Sequence, residues 1–150
     1  MRRADLEAYL HRHIPISVAL GVRVREASPD RVALTVPLEP NLNHQFTAFG
    51  GSVAALGILA GWTLLHLRLR SEGIRARSVI QTSEARFLSP VHGPFRAVAV
   101  APESGAWERF LATIERRGRG RLRLQARIDE GGLERALPTG SYVSFAGEAD

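Results

Sequence analysis

The sequence predicts an α+β fold in which a curled antiparallel sheet wraps one long central helix, and three observations carry that expectation. First, the stretch Asn43 to Leu69, NHQFTAFGGSVAALGILAGWTLLHLRL, runs from a polar loop through a glycine pair into an apolar segment. It is long enough for about five helical turns at 1.5 Å per residue. Second, small or apolar residues surround its axis from Val53 to Leu65. A surface helix carries one apolar stripe; this one needs neighbours on most sides. Third, the order of elements is helix, hairpin, long helix and then strand signals joined mainly by short turns. Such an order places helices against an antiparallel sheet.

The elements follow from local patterns. Leu6, Tyr9 and Leu10 share one side of a helix from about Ala4 to His13, which Pro15 stops. From Ala19 onward the composition shifts toward strand, and Ser28-Pro29-Asp30 marks the turn of a hairpin between GVRVREA and RVALTVPL. In the second arm Val32, Leu34, Val36 and Leu38 alternate with Arg31, Ala33, Thr35 and Pro37, and Pro37 has no amide to continue the ladder. After the central helix and a polar connection around Gly73, a strand is expected from Arg77 to Leu88, ended by Ser89-Pro90. Its alternation is imperfect, because Gln81 and Ser83 fall on the face of Val79, Ala85 and Phe87. Phe95 to Ala101 gives the next strand. Trp107, Phe110, Leu111 and Ile114 then recur at helical spacing in a short surface helix from about Ala106 to Arg116. Leu122, Leu124, Ala126 and Ile128 alternate with Arg121, Arg123, Gln125 and Arg127 in a half-buried strand. Gly131-Gly132 is a hairpin signal, a last strand is expected around Gly140 to Ala146, and the tail GEAD is expected to fray.

Composition narrows the functions. The 150 residues, 45% hydrophobic and 23% charged, fit a single domain over 1–150. There is no cysteine, so disulfides, thiolate metal sites and a cysteine nucleophile are excluded, which suits a reducing cytoplasm. Asp5, Glu7 and His11 stand where an export signal would carry its apolar core. The uncharged part of the central segment is shorter than a membrane span requires, and Arg68 and Arg70 close it. All 20 basic residues are arginine, giving a net charge of +5. They are dispersed among 15 acidic residues with no aromatic-rich basic motif, so no nucleic-acid partner is expected.

The segment Asn43 to Ser52 resembles the motif that leads into the helix of hotdog thioesterases: an asparagine, then a threonine, then His-Gly-Gly. Together with Thr47-Ala48-Phe49-Gly50-Gly51-Ser52, Ala60-Gly61-Trp62, Pro90-Val91 and the final Gly140-Ser141-Tyr142-Val143, the chain resembles the thioesterase family of the YiiD C-terminal type. The resemblance implies a hotdog fold and hydrolysis of an acyl thioester carried by coenzyme A or an acyl carrier protein. It also implies a homodimer or dimer of dimers with the site at the interface. No cofactor and no metal is expected.

The chemistry expected of these residues follows from charge development on the thioester carbonyl. The first amides of a helix lack intrahelical acceptors and sit at the positive end of its dipole, so Gly50, Gly51 and Ser52 are placed to hold an oxyanion. The same glycines also serve a tight turn. Asn43 and Thr47 either orient water or hold the loop. Phe49, Val53, Trp62 and Phe87 are candidates for the lining of an acyl slot, and Arg77, Arg86 and Arg96 for contact with phosphates or an acidic carrier. Phe49 stands where many relatives of the motif carry histidine, and Ile58 where they place an acid on the helix; no carboxylate occurs from Ser52 to Ser71. Glu84 on the following strand is the nearest candidate acid. His44 is the loop imidazole near the motif. The missing helix carboxylate leaves a catalytically silent acyl-CoA-binding or scaffold protein as the alternative. A dehydratase lacks its paired histidine and acid.

Overall fold

The computed structural model describes residues 1–147; the residues of the expected fraying tail from 148 onward lie outside the described part. Helix α1 (Arg3–His13) and a short α2 (Ile16–Leu20) lead into strands β1 (Arg23–Ala27) and β2 (Arg31–Val36). A 3-10 turn, Glu39–Asn41, precedes the long helix α3 (Gly50–Ser71). Strands β3 (Ala76–Phe87) and β4 (Phe95–Val100), helix α4 (Ser104–Arg117) and the hairpin of β5 (Arg119–Glu130) and β6 (Leu133–Ala146) complete it. The strands form one antiparallel sheet in the order β1-β2-β4-β5-β6-β3.

The expected wrapping is present. Helix α3, 22 residues and about 33 Å long, touches every strand from β2 to β6. Its buried residues, among them Val53, Leu56, Leu59, Leu64 and Leu67, lie around most of its circumference. Against the expectation from its uncharged part, the helix is long and apolar enough to cross a membrane by length and composition alone. Yet 61% of its apolar window is buried within the fold, as in the core helix of a soluble domain. Gly57 and Gly61 allow the close approach of β6. A Cβ on Gly57 would lie 2.6 Å from the Pro138 Cβ, and one on Gly61 would lie 2.9 Å from the Tyr142 ring. The approaching partner is thus the chain's own strand. Tyr142 is fully enclosed and donates its hydroxyl to the Ile58 carbonyl at 2.9 Å, and burial holds its phenol pKa above the ordinary range.

Several expectations need correction. Residues from Ile16 to Leu20 turn once more as helix before the strand, ended by Gly21 at φ 77°. The last strand begins at Leu133 and contains Pro138, whose missing amide falls where the ladder to β5 is interrupted between Thr139 and Ala136. The imperfect alternation of β3 has a geometric cause: the register shifts between Ile80 and Thr82. Up to Ile80 the even-numbered residues oppose the inward Tyr142 and Ser144; beyond the bulge Ser83, Ala85 and Phe87 oppose the inward Gly140, Pro138 and Ala136. Val79 therefore points outward with Thr82, Glu84 and Arg86, on the face opposite α3.

The two sheet edges differ. Beside β1, the α1 side chains occupy backbone groups: Glu7 accepts the Val24 amide at 2.9 Å, Arg3 donates to the Arg25 carbonyl at 3.1 Å, and His11 bonds the Val22 carbonyl at 2.9 Å. Along the 12 residues of β3, the one backbone group bonded by a side chain among the described residues is the Ser78 carbonyl, which accepts from the Trp62 indole at 2.9 Å. Helix α4 closes the far end of α3, with Trp107 donating to Glu72 at 2.6 Å and Arg68 stacked over its ring.

His66 stacks on Trp62 at 4.9 Å and on Tyr9 at 5.2 Å, joining α1 to α3. Its Nε2 is buried with no hydrogen-bond partner among the described residues. Burial, and secondarily the positive charge of Arg70, hold its pKa below the ordinary 6.5.

Two predictions follow from this packing. Gly61→Ala is expected to lower unfolding free energy by about 1–3 kcal/mol in urea titrations, despite alanine's better helix propensity, because Tyr142 has no room to retreat. The unfolded chain protonates His66 more readily than the folded one, so its contribution is complete above pH 6.5 and declines as pH falls through that value. His66→Phe should flatten that decline in unfolding curves taken from about pH 8 to about pH 5.

Candidate functional site

The loop before α3 is held by two asparagines. Asn43 accepts the amides of Gln45 (2.8 Å) and Thr47 (3.1 Å) on its side-chain oxygen and donates to the Thr47 hydroxyl at 2.7 Å and the Ala48 carbonyl at 3.4 Å. This brace carries the chain through Phe46, the non-glycine residue at φ 62°, whose ring is 77% exposed. Asn41 is buried and donates to the carbonyls of Leu20 (2.9 Å) and Pro37 (2.8 Å), while its own carbonyl accepts the Phe49 amide at 2.7 Å. The Ala48 amide is bound by the Val91 carbonyl at 2.9 Å. Every contact of this loop fixes the angle at which the chain enters α3.

Phe49 occupies the N-cap with extended geometry and makes no capping hydrogen bond from its side chain. Its carbonyl accepts the amides of Ser52 (3.0 Å) and Val53 (3.1 Å). The amides of Gly50 and Gly51 have no acceptor among the described residues. Of the three amides expected to be open, two are; that of Ser52 is already engaged. The Phe49 ring lies against Gly51, where an added Cβ would be 3.1 Å from its Cδ1. Phe87, from the inward face of β3, lies 3.5 Å from the Cβ position of Gly50. Both rings are more than half exposed.

The remaining candidates divide by sheet face. Trp62 lines an apolar cavity of about 250 Å³ with Ile14, Ile16, Ala55, Ile58 and Ile80. Ala55 is one helical turn, about 6 Å, beyond Gly51, so the cavity begins close to the open amides. The contribution of Ile14 and Ile16 was missed in the sequence; their apolar pairing around Pro15 was its available signal. Val53 is core, 3% exposed. Thr47 is part of the loop brace. Glu84 and Arg86 stand on the outer face, opposite Thr139 and Leu137, and within one chain neither is brought to the amides. Neither forms an ion pair among the described residues. His44 is exposed in the loop. No cluster of metal-ligating side chains occurs among the described residues.

A single apolar helix enclosed by a curled antiparallel sheet defines the hotdog fold. Residues 3–146 match the family described as "Putative thioesterase (yiiD_Cterm)", and the chain belongs to that family. Similar solved structures include a protein of unknown function from Chlorobaculum tepidum, 28% identical, with a TM-score of 0.88 over 97% of this chain and 94% of that one. A "putative thioesterase" from Shewanella oneidensis is 23% identical, with a TM-score of 0.83 over 95% of this chain and 96% of that one. A "probable thioesterase" from Pseudomonas aeruginosa is 22% identical, with a TM-score of 0.80 over 96% of each chain. The last two likenesses establish the shared fold.

Asn43→Ala removes the brace while leaving the amides in place. It is expected to cost about 1–2 kcal/mol of stability, measured by urea unfolding, and to speed hydrogen exchange at Gln45 and Thr47. Asn43→Asp, which keeps the acceptor oxygen, should lose less.

Proposed function

We propose that the chain hydrolyses acyl thioesters of coenzyme A or of an acyl carrier protein, as a single domain in the cytoplasm. The observation that carries this reading is the pair of open amides at Gly50 and Gly51 beginning one helical turn from an apolar cavity. Water adds to the thioester carbonyl carbon, and the carbonyl oxygen takes up negative charge facing the two N–H groups and the positive helix end. Collapse of that adduct re-forms the carbonyl and breaks the C–S bond; one proton of the attacking water ends on the sulfur to give the thiol, and the other passes to solvent as the acid ionises to carboxylate. Glycine keeps side chains away from the approaching carbonyl, and Phe49 and Phe87 flank its path. The acyl chain enters the cavity along Ile58 and Trp62. Asn43 acts as a positioning residue, since its own carboxamide is spent on the loop, Thr47 shares that brace through its hydroxyl, and Ser52 is the hydroxyl residue of the first turn.

The bare edge of β3 and the exposed rings of Phe46, Phe49 and Phe87 support a homodimer or dimer of dimers, in which a second copy covers them. One observation favours the alternative of a silent acyl-binding protein. Among the described residues, no carboxylate or imidazole is hydrogen-bonded to the loop or to the first turn of α3.

The test is thiol release from a panel of acyl-CoA and acyl-carrier substrates. Gly50→Pro deletes one N–H donor at the first helical position, where proline is well tolerated, and Phe49 already has the extended conformation that precedes proline. Turnover is expected to fall about 10²–10³-fold with the circular dichroism spectrum unchanged. Undiminished turnover would remove the oxyanion assignment. Acyl-CoA binding by a wild type that never turns over would establish the silent protein. Glu84→Ala beside these variants reports whether the outer carboxylate takes part at all.

A further inference from the structure

The apolar cavity beside Trp62 has a closed end. On α3, Gly51, Ala55, Ile58, Trp62 and His66 follow at spacings of three and four, so they share one face of the helix. That face meets the inward residues of β3 in reverse order. Ile80 lines the cavity of about 250 Å³ with Ala55 and Ile58, whereas Ala76 and His66 line a different cavity of about 560 Å³. Trp62 and Ser78 stand between them.

At that boundary the indole spans the groove. Its N–H donates to the Ser78 carbonyl at 2.9 Å, and its ring stacks on His66 with centroids 4.9 Å apart and planes 13° apart. His66 is backed in turn by Tyr9 of α1 at 5.2 Å. A ring stacked and hydrogen-bonded at once is a fixed wall.

The spaces on its two sides differ in chemistry. In the smaller cavity the polar side-chain atoms of the lining are already bonded: the Trp62 N–H to Ser78, and the Tyr142 hydroxyl to the Ile58 carbonyl at 2.9 Å. Hydrocarbon alone suits it. The larger cavity is lined by the exposed Arg70 and Arg75. The wall therefore separates an apolar slot from a cationic, wetter one.

Two measures give the length of chain that the wall admits. Eleven residues of helix separate Gly51 from Trp62, about 16 Å, and an extended chain advances about 1.2 Å per bond, so roughly thirteen carbons fit. By volume, an apolar cavity of about 150 Å³ holds the six carbons of benzene, so this one holds roughly ten, beyond the few that cross the first turn. The geometry points to Trp62 as the residue that sets acyl length, and to straight-chain acyl groups of about twelve carbons as the substrate class. This assignment rests on the hydrolase reading of the open amides.

The test is kcat/KM for thiol release across straight-chain acyl-CoAs of about four to about eighteen carbons, held below their aggregation concentrations. Up to about twelve carbons each methylene is expected to raise it about fourfold; beyond about fourteen it levels or falls. Trp62→Ala joins the two cavities and is expected to raise the octadecanoyl-to-dodecanoyl ratio at least about tenfold. A merely structural tryptophan would lower both substrates alike, and an unchanged ratio overturns the assignment. Ala55→Leu fills the slot from the other end and should move the optimum about three carbons shorter. If Trp62→Ala does not fold, an optimum unmoved by Ala55→Leu overturns the assignment by itself. So does a wild type whose kcat/KM keeps rising to the longest chain. A wild type without turnover overturns the hydrolase reading, and calorimetric titration with the same acyl-CoAs then decides the wall. Affinity that stops rising near twelve carbons upholds it, and affinity that rises throughout overturns it.

Discussion

The burial of α3 is the constraint on which the rest of the structure depends. A helix apolar around most of its circumference gains from contact with several neighbours at once, each buried aliphatic side chain contributing roughly 1.5–3 kcal/mol. One flat sheet would cover a single side. The sheet must coil, and the strand that meets glycine on the helix is β6, with Pro138 against Gly57 and Tyr142 against Gly61. That close approach sets the spacing of β6, and β6 sets the register of β3 and β5 on either side. The cavity beside Ile58 and Trp62 lies where the wrapping is incomplete, between the β3 edge and the turn from α1 into α2.

Coiling leaves two edges and two faces with different fates. The β1 edge is satisfied within the chain by Glu7, Arg3 and His11, whereas β3 keeps its backbone groups for water or another chain. The outer face is where the arginines gather. Arg119, Arg121 and Arg123 project from β5 at every second residue and form no ion pair among the described residues. Two copies stacked outer face to outer face would bring this row against itself, so association along the β3 edge is electrostatically the easier route.

Most of the fold was legible because its signals are local. The all-round apolarity of Val53 to Leu65 and the alternation of Leu122 to Ile128 each depend on residues a few positions apart, and both elements stand where those patterns place them. What was not legible depends on contacts distant in sequence. The bulge at Gln81 shifts which residues of β3 face inward, and it was visible in the sequence only as a defect in alternation. It is also what sends Glu84 to the outer face. Of two asparagines two residues apart, the sequence motif singles out Asn43, yet Asn41 ties the loop to Leu20 and Pro37 across the fold. The ion pair of Arg96 with the buried Asp129 joins β4 to β5, a pairing that no spacing within either strand announces.

The start of α3 departs from what stability alone would select. Serine, threonine, aspartate or asparagine at the N-cap would bind a free amide of the first turn and add about 0.5–2 kcal/mol; Phe49 does not. Glycine at the next two positions forgoes roughly 1 kcal/mol each relative to alanine in a helix interior, somewhat less at an end. A phenylalanine ring held in water at the cap adds a further cost. The missing cap leaves the Gly50 and Gly51 N–H groups without acceptors among the described residues. The glycines keep Cβ atoms away from them, and the bonds of Asn41, Asn43, Ala48 and Phe49 hold the loop in this arrangement. Several local rules broken at one point, with the result braced by the loop, is the pattern that functional or strained sites have in natural proteins.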